Sequence, residues 1–549
     1  MKQVLRQHVA QLAAAALLLF LILIQPNHPD AVGWGSLFVF PLELPVLLLA
    51  LIALPHQRKA TIFIRGLLTA FLTLIAALKA ADFVSFNALS RGFNPVADIA
   101  LVDAFVRLLS GTFGAAGAIG ISVGVILLFA ALAAGLWWAT GIWSRVEVLP
   151  RQGVIAAGLS GVFAVLMVVQ ISQAMGRWQP PLDPPGTAFT ARVAVERWEM
   201  VGNTLEQLRR FRALAAADAF LEAPAQLDAI DRDVIILFVE SYGRASHETE
   251  QYAARHRTTL QRYEQRLLET GLALRSGYLE APTRGGQSWL SHATFANGLW
   301  IDNQMSYGAA LASGRRSLFH HAARAGFHTA AVMPQITLDW PEAATMGFET
   351  ILTFDELGYE GPAFNWVTMP DQFTLLAMDR LLRDGAASGL KFIQAALVSS
   401  HAPWVPVPDF LPWSALGNGQ VYRSFLEGAE TPRDVWRDRD RVREQYSEAL
   451  DYALTSVLEY ALLHANEPPL MIVVGDHQAA EFVALDNRPH VPLHVIGPRH
   501  LVDQLQKLAP EFGLLLPDDA TVTPMSEVRD IFLSVFSNNP PALAGNLHQ

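Results

Sequence analysis

Five apolar stretches in the first 174 residues restrict the possible folds more than any other feature of the chain. They run approximately over residues 9–25, 35–54, 61–80, 115–138 and 153–174. A helix needs about 20 apolar residues to cross roughly 30 Å of hydrocarbon, and each stretch is close to that length. The sequence therefore predicts an N-terminal domain of five transmembrane helices over residues 1–175.

Basic residues in the short loops predict the orientation of this domain. They lie before the first stretch and around the start of the third: Lys2, Arg6, Arg58, Lys59 and Arg65. The loop over 26–34 has no Lys or Arg. We therefore expect the amino terminus inside a bacterial cytoplasmic membrane, and five crossings then put the rest of the chain on the periplasmic or extracellular side.

Charge and cysteine content narrow the function of the second part of the chain. Of 40 Lys+Arg and 51 Asp+Glu in the whole chain, only ten basic and six acidic residues lie before residue 175. The remainder is thus strongly acidic, which argues against nucleic acid as a partner, because phosphate binding needs basic surfaces. The chain has no cysteine, so disulfides, zinc–thiolate sites and cysteine nucleophiles are excluded.

The organisation after the last apolar stretch follows from composition. Residues 176–230 begin with a proline-rich linker and continue with a helical pattern over about 190–220, which suits a juxtamembrane helix or one packed on the following domain. Residues 231–535 have the composition of a folded domain, and residues 536–549 resemble a tail.

Buried strands alternate with helices in the 231–535 domain. The unbroken apolar run at 234–239 and similar runs at 392–398, 470–474 and 491–496 are typical of strands buried on both faces. Helical patterns, such as 318–325 and 443–465, lie between them. This alternation predicts an α/β domain with a mostly parallel central sheet, in which chemistry gathers beyond the carboxyl ends of the strands.

Polar residues lie just after three of these runs. Glu240 follows the first, His401 the second, and Asp476 with His477 the third. Carboxylate oxygens together with imidazole suit a divalent metal such as Mn²⁺, Zn²⁺ or Mg²⁺. An Asp-His pair at a strand end can also be a simple turn, whereas an acidic side chain at the end of a buried strand needs a partner.

Ser288 is the candidate nucleophile. It follows Gly285-Gly286-Gln287 and stands where a helix is predicted to start, so that a cation and the helix dipole could together hold a phosphate. The alternative is that Ser288 is only an N-cap. Rival hydroxyls in the same region are Thr283, Ser291 and Thr294.

The motifs FVESYG, a glycine-rich loop ending in a hydroxyl, SHAPW and VVGDHQ occur in that order. This pattern resembles the membrane-anchored branch of the alkaline phosphatase/sulfatase superfamily, in particular the lipoteichoic acid synthase and phosphoglycerol transferase I group. The resemblance covers roughly residues 233–498. It implies a sulfatase-like fold, with a catalytic domain outside the membrane after five helices.

The resemblance also assigns roles to residues. It implies Glu240, Asp476 and His477 as metal ligands, with Ser288 as a further ligand and as the nucleophile, where the family usually has Thr. It implies that His401 is catalytic and contacts the substrate head group. The resemblance would match Trp340 to a head-group Trp, although no Arg follows it at the family's position. It matches His490 to a further phosphate- or metal-binding histidine. The predicted substrate-binding set is therefore His401, Trp340 and His490.

The implied function is metal-dependent transfer of a phospholipid head group, phosphoglycerol from phosphatidylglycerol first of all, to an envelope glycan or polymer. The expected cofactor is Mn²⁺, with Zn²⁺ or Mg²⁺ as alternatives, and a phospho-serine would be the intermediate. Three alternatives remain open: a phosphoethanolamine transferase, a phosphate or sulfate ester hydrolase, and a non-catalytic membrane receptor. Cysteine-dependent disulfides common in the first are absent here.

Overall fold

The computed structural model describes residues 2–55, 59–89, 91–99, 101–223, 226–338, 340–384, 389–517, 522–538 and 540. The chain forms two compact units, Met1–Gln207 and Leu208–Gln549. Arg58, which the orientation argument used, and most of the tail predicted over 536–549 lie outside the described residues.

The first unit is helical. Its helices are α1 (Lys2–Ile24), α2 (Glu43–Ala53), α3 (Lys59–Leu89), α4 (Leu101–Ser144), α5 (Pro150–Ala174) and the first part of α6 (Phe189–Ala216), with 3₁₀ turns at Pro29–Ala31 and Trp34–Phe38. Gly114 interrupts α4 with a φ of 73°, so its apolar part is Gly114–Ser144. Among the described residues, four helices are long and apolar enough to cross a membrane: α1, α3, α4 and α5.

The prediction of five full-length transmembrane helices is wrong for the second stretch. Helix α2 has 11 residues, about 16 Å at 1.5 Å per residue, instead of the 20 expected over 35–54. The reason is that Pro41 pairs in a strand-like bridge with Thr187, and Leu42 N–H donates to the Thr187 carbonyl at 2.8 Å. A hydropathy pattern does not distinguish this extended backbone from helix.

Helix α2 nevertheless connects the two ends of the helical unit. At one end, Lys79 of α3 donates to the Leu23 carbonyl of α1 at 3.2 Å and to Thr190 Oγ1 at 2.7 Å. Glu43, the first residue of α2, accepts from the neighbouring Ala191 N–H at 3.0 Å. The carboxyl end of α1, the amino end of α2 and the start of α6 therefore meet.

The opposite end contains the beginning of α3. Arg65 donates to the Trp137 carbonyl near the end of α4 at 2.8 Å, and Thr61 donates to the Pro55 carbonyl just after α2. Helices α1, α2 and α3 thus alternate in direction, and α6 starts at the end opposite to the amino terminus of α1.

The second unit is an α/β fold. Its strands are β1 (Val234–Val239), β2 (Ala273–Glu280), β3 (His328–Met333), β4 (Thr350–Thr353), β5 (Lys391–Leu397), β6 (Leu470–Gly475), β7 (His490–Gly497), β8 (Glu511–Phe512) and β9 (Val522–Pro524). Its helices are α7 (Ala245–Glu248), α8 (Glu250–Glu269), α9 (Ser288–Asn297), α10 (Gln304–Leu311), α11 (Leu318–Arg324), α12 (Asp371–Met378), α13 (Pro432–Val435), α14 (Arg439–Leu463), α15 (Glu481–Ala484), α16 (Arg499–Val502) and α17 (Val528–Val535). A π-helical turn, Asp379–Arg383, follows α12, and 3₁₀ turns lie at Pro341–Met346, Trp413–Ala415, Gln420–Phe425, Asp503–Leu505 and Met525–Glu527.

The strands form one mixed sheet in the order β4-β3-β5-β1-β6-β7-β2-β8, with β9 beside β2. Strands β4, β3, β5, β1 and β6 are parallel, whereas β7 is antiparallel to β6 and β2 is antiparallel to β7 and β8. The expectation of a mostly parallel sheet therefore holds for one side only. The β6–β7 connection contains only the four-residue α15 and returns directly, which gives an antiparallel pair.

Both faces of the sheet are covered. Side chains of α8, α12 and α14 pack on one face with Ile235, Leu237 and Val239 of β1. The other face, with Ile236 and Phe238, packs against α9, α11 and α17. All six side chains of β1 are buried, as the unbroken apolar run predicts.

Candidate active site

The site forms where parallel neighbours end together. Strands β5, β1 and β6 are adjacent and parallel, so their carboxyl ends share one edge of the sheet. Glu240 follows β1, Asp476 and His477 follow β6, and His401 lies four residues beyond β5. The predicted polar residues are therefore brought to one edge by topology.

Glu240, Asp476 and His477 form a buried group in which one ligand atom from each residue lies within 4.8 Å of the others. His477 Nδ1 is 3.0 Å from the Gln478 carbonyl, which can only accept, so this nitrogen carries the proton. The other nitrogen, Nε2, lies 3.2 Å from Glu240 Oε1. A neutral His477 would thus present an unprotonated Nε2 toward Glu240, as a metal ligand must.

The three groups shift one another's pKa values. Burial, and next the charge of Glu240, raise the pKa of Asp476 to about 8. Burial opposes ionisation of Glu240 as well, but His477 and then His401 hold the pKa of Glu240 below its usual value. Burial lowers the pKa of His477, whereas Asp476 and Glu240 raise it more strongly, to about 9. Two carboxylates thus share one imidazole.

Ser288 is directed at this group. Its Oγ donates to Glu240 Oε2 at 3.0 Å and lies 3.3 Å from His477 Nε2. Ser288 is the first residue of α9, and the N-cap position belongs to Gln287, whose side chain makes no capping hydrogen bond. The Ser288 hydroxyl therefore contacts the candidate ligands. Among the described contacts it makes no capping hydrogen bond to a backbone N–H, which the N-cap alternative would require.

The glycine-rich loop explains how Ser288 reaches this position. Gly285, Gly286 and Gln287 have φ values of 70°, 143° and 65°, the region that favours glycine. Gly285 N–H donates to the Gln478 carbonyl at 2.8 Å. The loop that carries the nucleophile candidate is thus bonded through its backbone to the segment directly after His477.

The rival hydroxyls are engaged elsewhere. Thr283 and Ser291 hydrogen bond to each other at 3.3 Å. Thr294 Oγ1 accepts from the Ile301 N–H at 3.0 Å and so braces the end of α9. Of the hydroxyls considered from sequence, Ser288 is the one that contacts Glu240 and His477.

His401 lies on the open side of the site beside an aromatic ring. Its Nδ1 donates to the Ala402 carbonyl at 2.6 Å, which leaves Nε2 as the proton-accepting atom of the neutral ring. The ring of Trp366 stacks on His401 with 6.2 Å between centroids and an interplanar angle of 26°. Trp366 is 52% exposed, so this aromatic surface is open to a ligand.

Two other predicted substrate-binding residues lie elsewhere. Trp340 packs against the core that contains Phe348, at 6.3 Å between ring centroids. His490 begins β7, outside the three-residue ligand group; burial, followed by the charges of Arg244 and Arg488, lowers its pKa. Their predicted roles have no supporting contact with the group around Ser288 in the described structure.

The residues present fit a divalent cation. The donor set consists of two carboxylates, an imidazole and a hydroxyl, which are hard or borderline ligands. Asp476 Oδ1 accepts from the N–H groups of Ser241 and His477, so the carboxylate is held in place by the backbone. With both carboxylates ionised and the imidazole neutral, this buried group carries two negative charges, which a divalent ion would balance.

Sequence reasoning missed Trp366 and Asp371. Trp366 lies in the loop GPAFNWVTMP, and the only available signal was an aromatic residue among turn-forming residues. Asp371 begins α12 after Pro370, a pattern that merely indicates a helix start. The contacts of Asp371 with the segment that contains His401 are visible only in three dimensions.

Comparisons with known proteins give limited likeness. No protein-family model matches the chain. Among curated proteins, no match was found. Several solved structures share part of the fold. Lipoteichoic acid synthase LtaP of Listeria monocytogenes is 12% identical over 61% of this chain and 79% of its own, with a TM-score of 0.39.

Two further structures give similar values. An alkaline phosphatase superfamily protein of Vibrio parahaemolyticus is 13% identical over 60% of this chain and 75% of its own, with a TM-score of 0.38. The phosphoglycerol transferase GacH of Streptococcus pyogenes is 12% identical over 61% and 82%, with a TM-score of 0.37. The matched proteins are of the kind that the sequence motifs resemble. All three TM-scores are below 0.5, so these likenesses say nothing about the chemistry of this chain.

Proposed function

We propose that the chain is a metal-dependent phosphotransferase that uses Ser288 as its nucleophile. The observation that carries this proposal is the position of Ser288 Oγ, 3.0 Å from Glu240 Oε2 and 3.3 Å from His477 Nε2, beside a buried group fit for a divalent ion. Glu240, Asp476, His477 and Ser288 would hold the ion, with Mn²⁺ as the first candidate. When bound, a divalent ion lowers the pKa of a coordinated hydroxyl and neutralises charge on phosphoryl oxygens.

The protein residues divide a double displacement between them. The Ser288 oxygen forms a bond to phosphorus while the bond from phosphorus to the diacylglycerol oxygen breaks, and diacylglycerol leaves with a proton. An acceptor hydroxyl then attacks the phospho-serine, and its proton passes to His401 Nε2 as the bond from phosphorus to Ser288 breaks. A proton then returns from His401 to Ser288 Oγ, which restores both residues. His401 is suited to this role because its Nδ1 proton is committed to the Ala402 carbonyl.

The donor is proposed to be phosphatidylglycerol and the acceptor a hydroxyl of an envelope glycan or polymer. Support for a head-group site comes from the exposed Trp366 ring stacked on His401. The four long apolar helices of the first unit suit an enzyme whose donor stays in a bilayer.

We also propose that the catalytic unit lies outside the cytoplasmic membrane. In the helical unit α6 begins at the end opposite to the amino terminus of α1, and Lys2 and Arg6 favour a cytoplasmic amino terminus. Alkaline phosphatase and green fluorescent protein fused in turn after residue 535 test this location. Phosphatase activity without fluorescence is expected; the reverse pattern would place the catalytic unit in the cytoplasm.

The decisive experiment supplies detergent-purified protein with phosphatidylglycerol or phosphatidylethanolamine that carries a labelled acyl chain. We expect diacylglycerol release from phosphatidylglycerol that requires Mn²⁺ and is lost in Ser288→Ala. Release from phosphatidylethanolamine instead would assign a different head group. If metal-loaded protein releases diacylglycerol from neither lipid, the lipid-donor proposal is wrong.

A further inference from the structure

Asp371 is a fully buried carboxylate that the chemistry proposed above does not use. It is the first residue of α12, and its Oδ1 accepts from two consecutive backbone N–H groups, Val398 at 2.6 Å and Ser399 at 2.9 Å. In return, the Asp371 N–H donates to Ser399 Oγ at 2.8 Å. Three hydrogen bonds therefore connect the start of α12 to the segment after β5.

That segment, residues 398–401, is a tight turn that we name the β5 turn. His401 N–H donates to the Val398 carbonyl at 2.9 Å and closes it. Ser400 Oγ donates to the carbonyl of Glu240 at 2.6 Å. The β5 turn thus bonds on one side to Asp371 and on the other to the residue that supplies a candidate metal ligand.

The loop before α12 carries the aromatic partner of His401. Trp366 lies five residues before Asp371, and its carbonyl accepts from Gln335 Nε2 at 2.7 Å. The Gln335 Oε1 accepts in turn from the Thr368 N–H at 3.3 Å. The two rings that stack thus come from two different segments, and Asp371 is the buried side chain that bonds these segments to each other.

We propose that Asp371 is a positioning residue that fixes the Trp366–His401 pair relative to Glu240 and Ser288. It acts through the β5 turn and touches neither substrate nor metal. Because the pair is taken as the head-group site, this inference rests on the proposed function.

The burial of Asp371 is energetically costly, which favours a specific role for this carboxylate. Its Oδ2 is buried without a hydrogen-bond partner in the described part of the chain, which is costly for a carboxylate. Burial raises the pKa of Asp371 to about 6, against the hydrogen bonds from Ser399 and Val398 that lower it, and the charge of Glu240 raises it further. A purely structural link between two loops would be served by less costly groups.

The test compares Asp371→Asn with Asp379→Asn in the full chain. Asp379 is also a buried aspartate, in the π-helical turn after α12, but it bonds to Tyr460, His464 and Arg383 rather than to the β5 turn. Asp371→Asn is expected to lower kcat/KM for the lipid donor about tenfold or more, since small displacements of positioned groups have effects up to about a hundredfold. Mn²⁺ affinity, measured by titration calorimetry, should change less than about twofold, because the candidate ligands keep their own bonds. Asp379→Asn should reduce thermal stability and leave kcat/KM unchanged.

A second readout does not depend on catalysis. The protein is labelled with 5-fluorotryptophan, and the Trp366 resonance is assigned by its loss in Trp366→Phe. We expect Asp371→Asn to shift or broaden this ¹⁹F signal and Asp379→Asn to leave it in place. Ser399→Ala, which removes only the acceptor for the Asp371 N–H, should give a smaller shift in the same direction and serves if Asp371→Asn does not fold.

The outcomes separate the two proposals. If wild-type protein transfers no head group but the Trp366 signal moves in Asp371→Asn, the proposed function fails and the positioning role stands. If the signal and kcat/KM are both unchanged in Asp371→Asn and Ser399→Ala, the positioning role is wrong. Equal losses in the Asp371 and Asp379 variants would likewise overturn it, since that would show a general effect on folding.

Discussion

Both units of the molecule bury charged side chains, but one buried ion pair of the helical unit differs in kind from the candidate ligand group of the α/β unit. In the helical unit Asp82 is fully buried and accepts from the guanidinium of Arg197 with both carboxylate oxygens. In the catalytic unit Glu240 and Asp476 share the single imidazole of His477. A closed ion pair is a structural element, whereas two buried carboxylates that share one imidazole have the donor set of a cation site. The comparison separates charges that hold the fold from charges that bind a ligand.

The largest expected effect concerns the nucleophile. Ser288→Ala should lower head-group transfer by about a thousandfold or more, because Ser288 Oγ contacts both Glu240 and His477, whereas Ser241 Oγ contacts Glu240 alone in the described site. Ser288→Thr is the matched variant: it keeps the hydroxyl and should retain transfer within about tenfold. Diacylglycerol release measures both. Comparable activity in Ser288→Ala and wild type would remove Ser288 from the mechanism.

Opening the closed pair should have the next largest effect. Asp82→Asn leaves Arg197 buried without its carboxylate partner and should lower the free energy of unfolding of the helical unit by about 3–5 kcal/mol. The control is Glu199→Gln, which breaks an exposed pair with Arg177 and should cost less than about 1 kcal/mol. Unfolding in detergent, followed by circular dichroism, measures both values; equal small losses would contradict the assignment of the Asp82 pair to structure.

Metal removal should affect the group of Glu240, Asp476 and His477 and not the Asp82–Arg197 ion pair. At a free Mn²⁺ concentration a hundred times its Kd, the bound ion should stabilise the catalytic unit by about 2.7 kcal/mol, which a chelator would remove. Glu240→Gln with Asp476→Asn removes the excess negative charge, so this double variant should show no response to chelator or Mn²⁺. Thermal unfolding with and without Mn²⁺ is the measurement. If no divalent metal changes the unfolding temperature of the wild-type protein, Glu240, Asp476 and His477 do not form a cation site.

The smallest effect separates two tryptophans. Trp366→Ala removes the ring stacked on His401 and should lower kcat/KM for the lipid donor about tenfold, the equivalent of about 1.4 kcal/mol. Trp340→Ala removes a ring packed on the core near Phe348 and should lower the melting temperature instead. If Trp340→Ala changes kcat/KM and Trp366→Ala does not, the head-group role belongs to Trp340, as the sequence resemblance implies.

The part of the fold that sequence predicts is the part whose strands are buried on both faces. The predicted runs of β1 and β6 are apolar without interruption, and those of β5 and β7 are interrupted only by Gln394 and His494. The positions of all four are confirmed to within a residue or two. Strand β2 was not predicted, because its sequence ALRSGYLE contains Arg275 and Ser276. Ser276 is buried and bonds to His494 and the Leu514 carbonyl, contacts that pattern analysis cannot supply.

The candidate site shows the same division. Glu240, Asp476, His477 and His401 could be found because each lies within four residues of the end of a recognisable strand, and Ser288 because a glycine pair precedes it. The sheet topology then brings four of these together. Nothing in the local sequence connects Trp366 or Asp371 to His401, since their contacts join segments about 30 residues apart.

The length of α2 was beyond reach of hydropathy for a related reason. Residues 35–54 are apolar except for Ser36 and Glu43, but Pro41 and its neighbours pair with Thr187. Hydropathy reports which residues avoid water, and both an apolar helix and an apolar extended segment satisfy that requirement. Only the distant pairing partner decides between them.

The backbone bond from Gly285 to Gln478 has a consequence for how such a site can diverge among related chains. The loop that carries Ser288, the proposed nucleophile, is held by a hydrogen bond between two peptide groups, which does not depend on the side chains at those positions. We therefore expect substitutions in the loop to be tolerated where the positive φ angles can be adopted and where, as at Gly285, the new side chain can avoid Ala480. A one-residue insertion between Gly286 and Ser288 would shift the hydroxyl out of reach. For this loop, evolution is constrained more strongly in length than in composition.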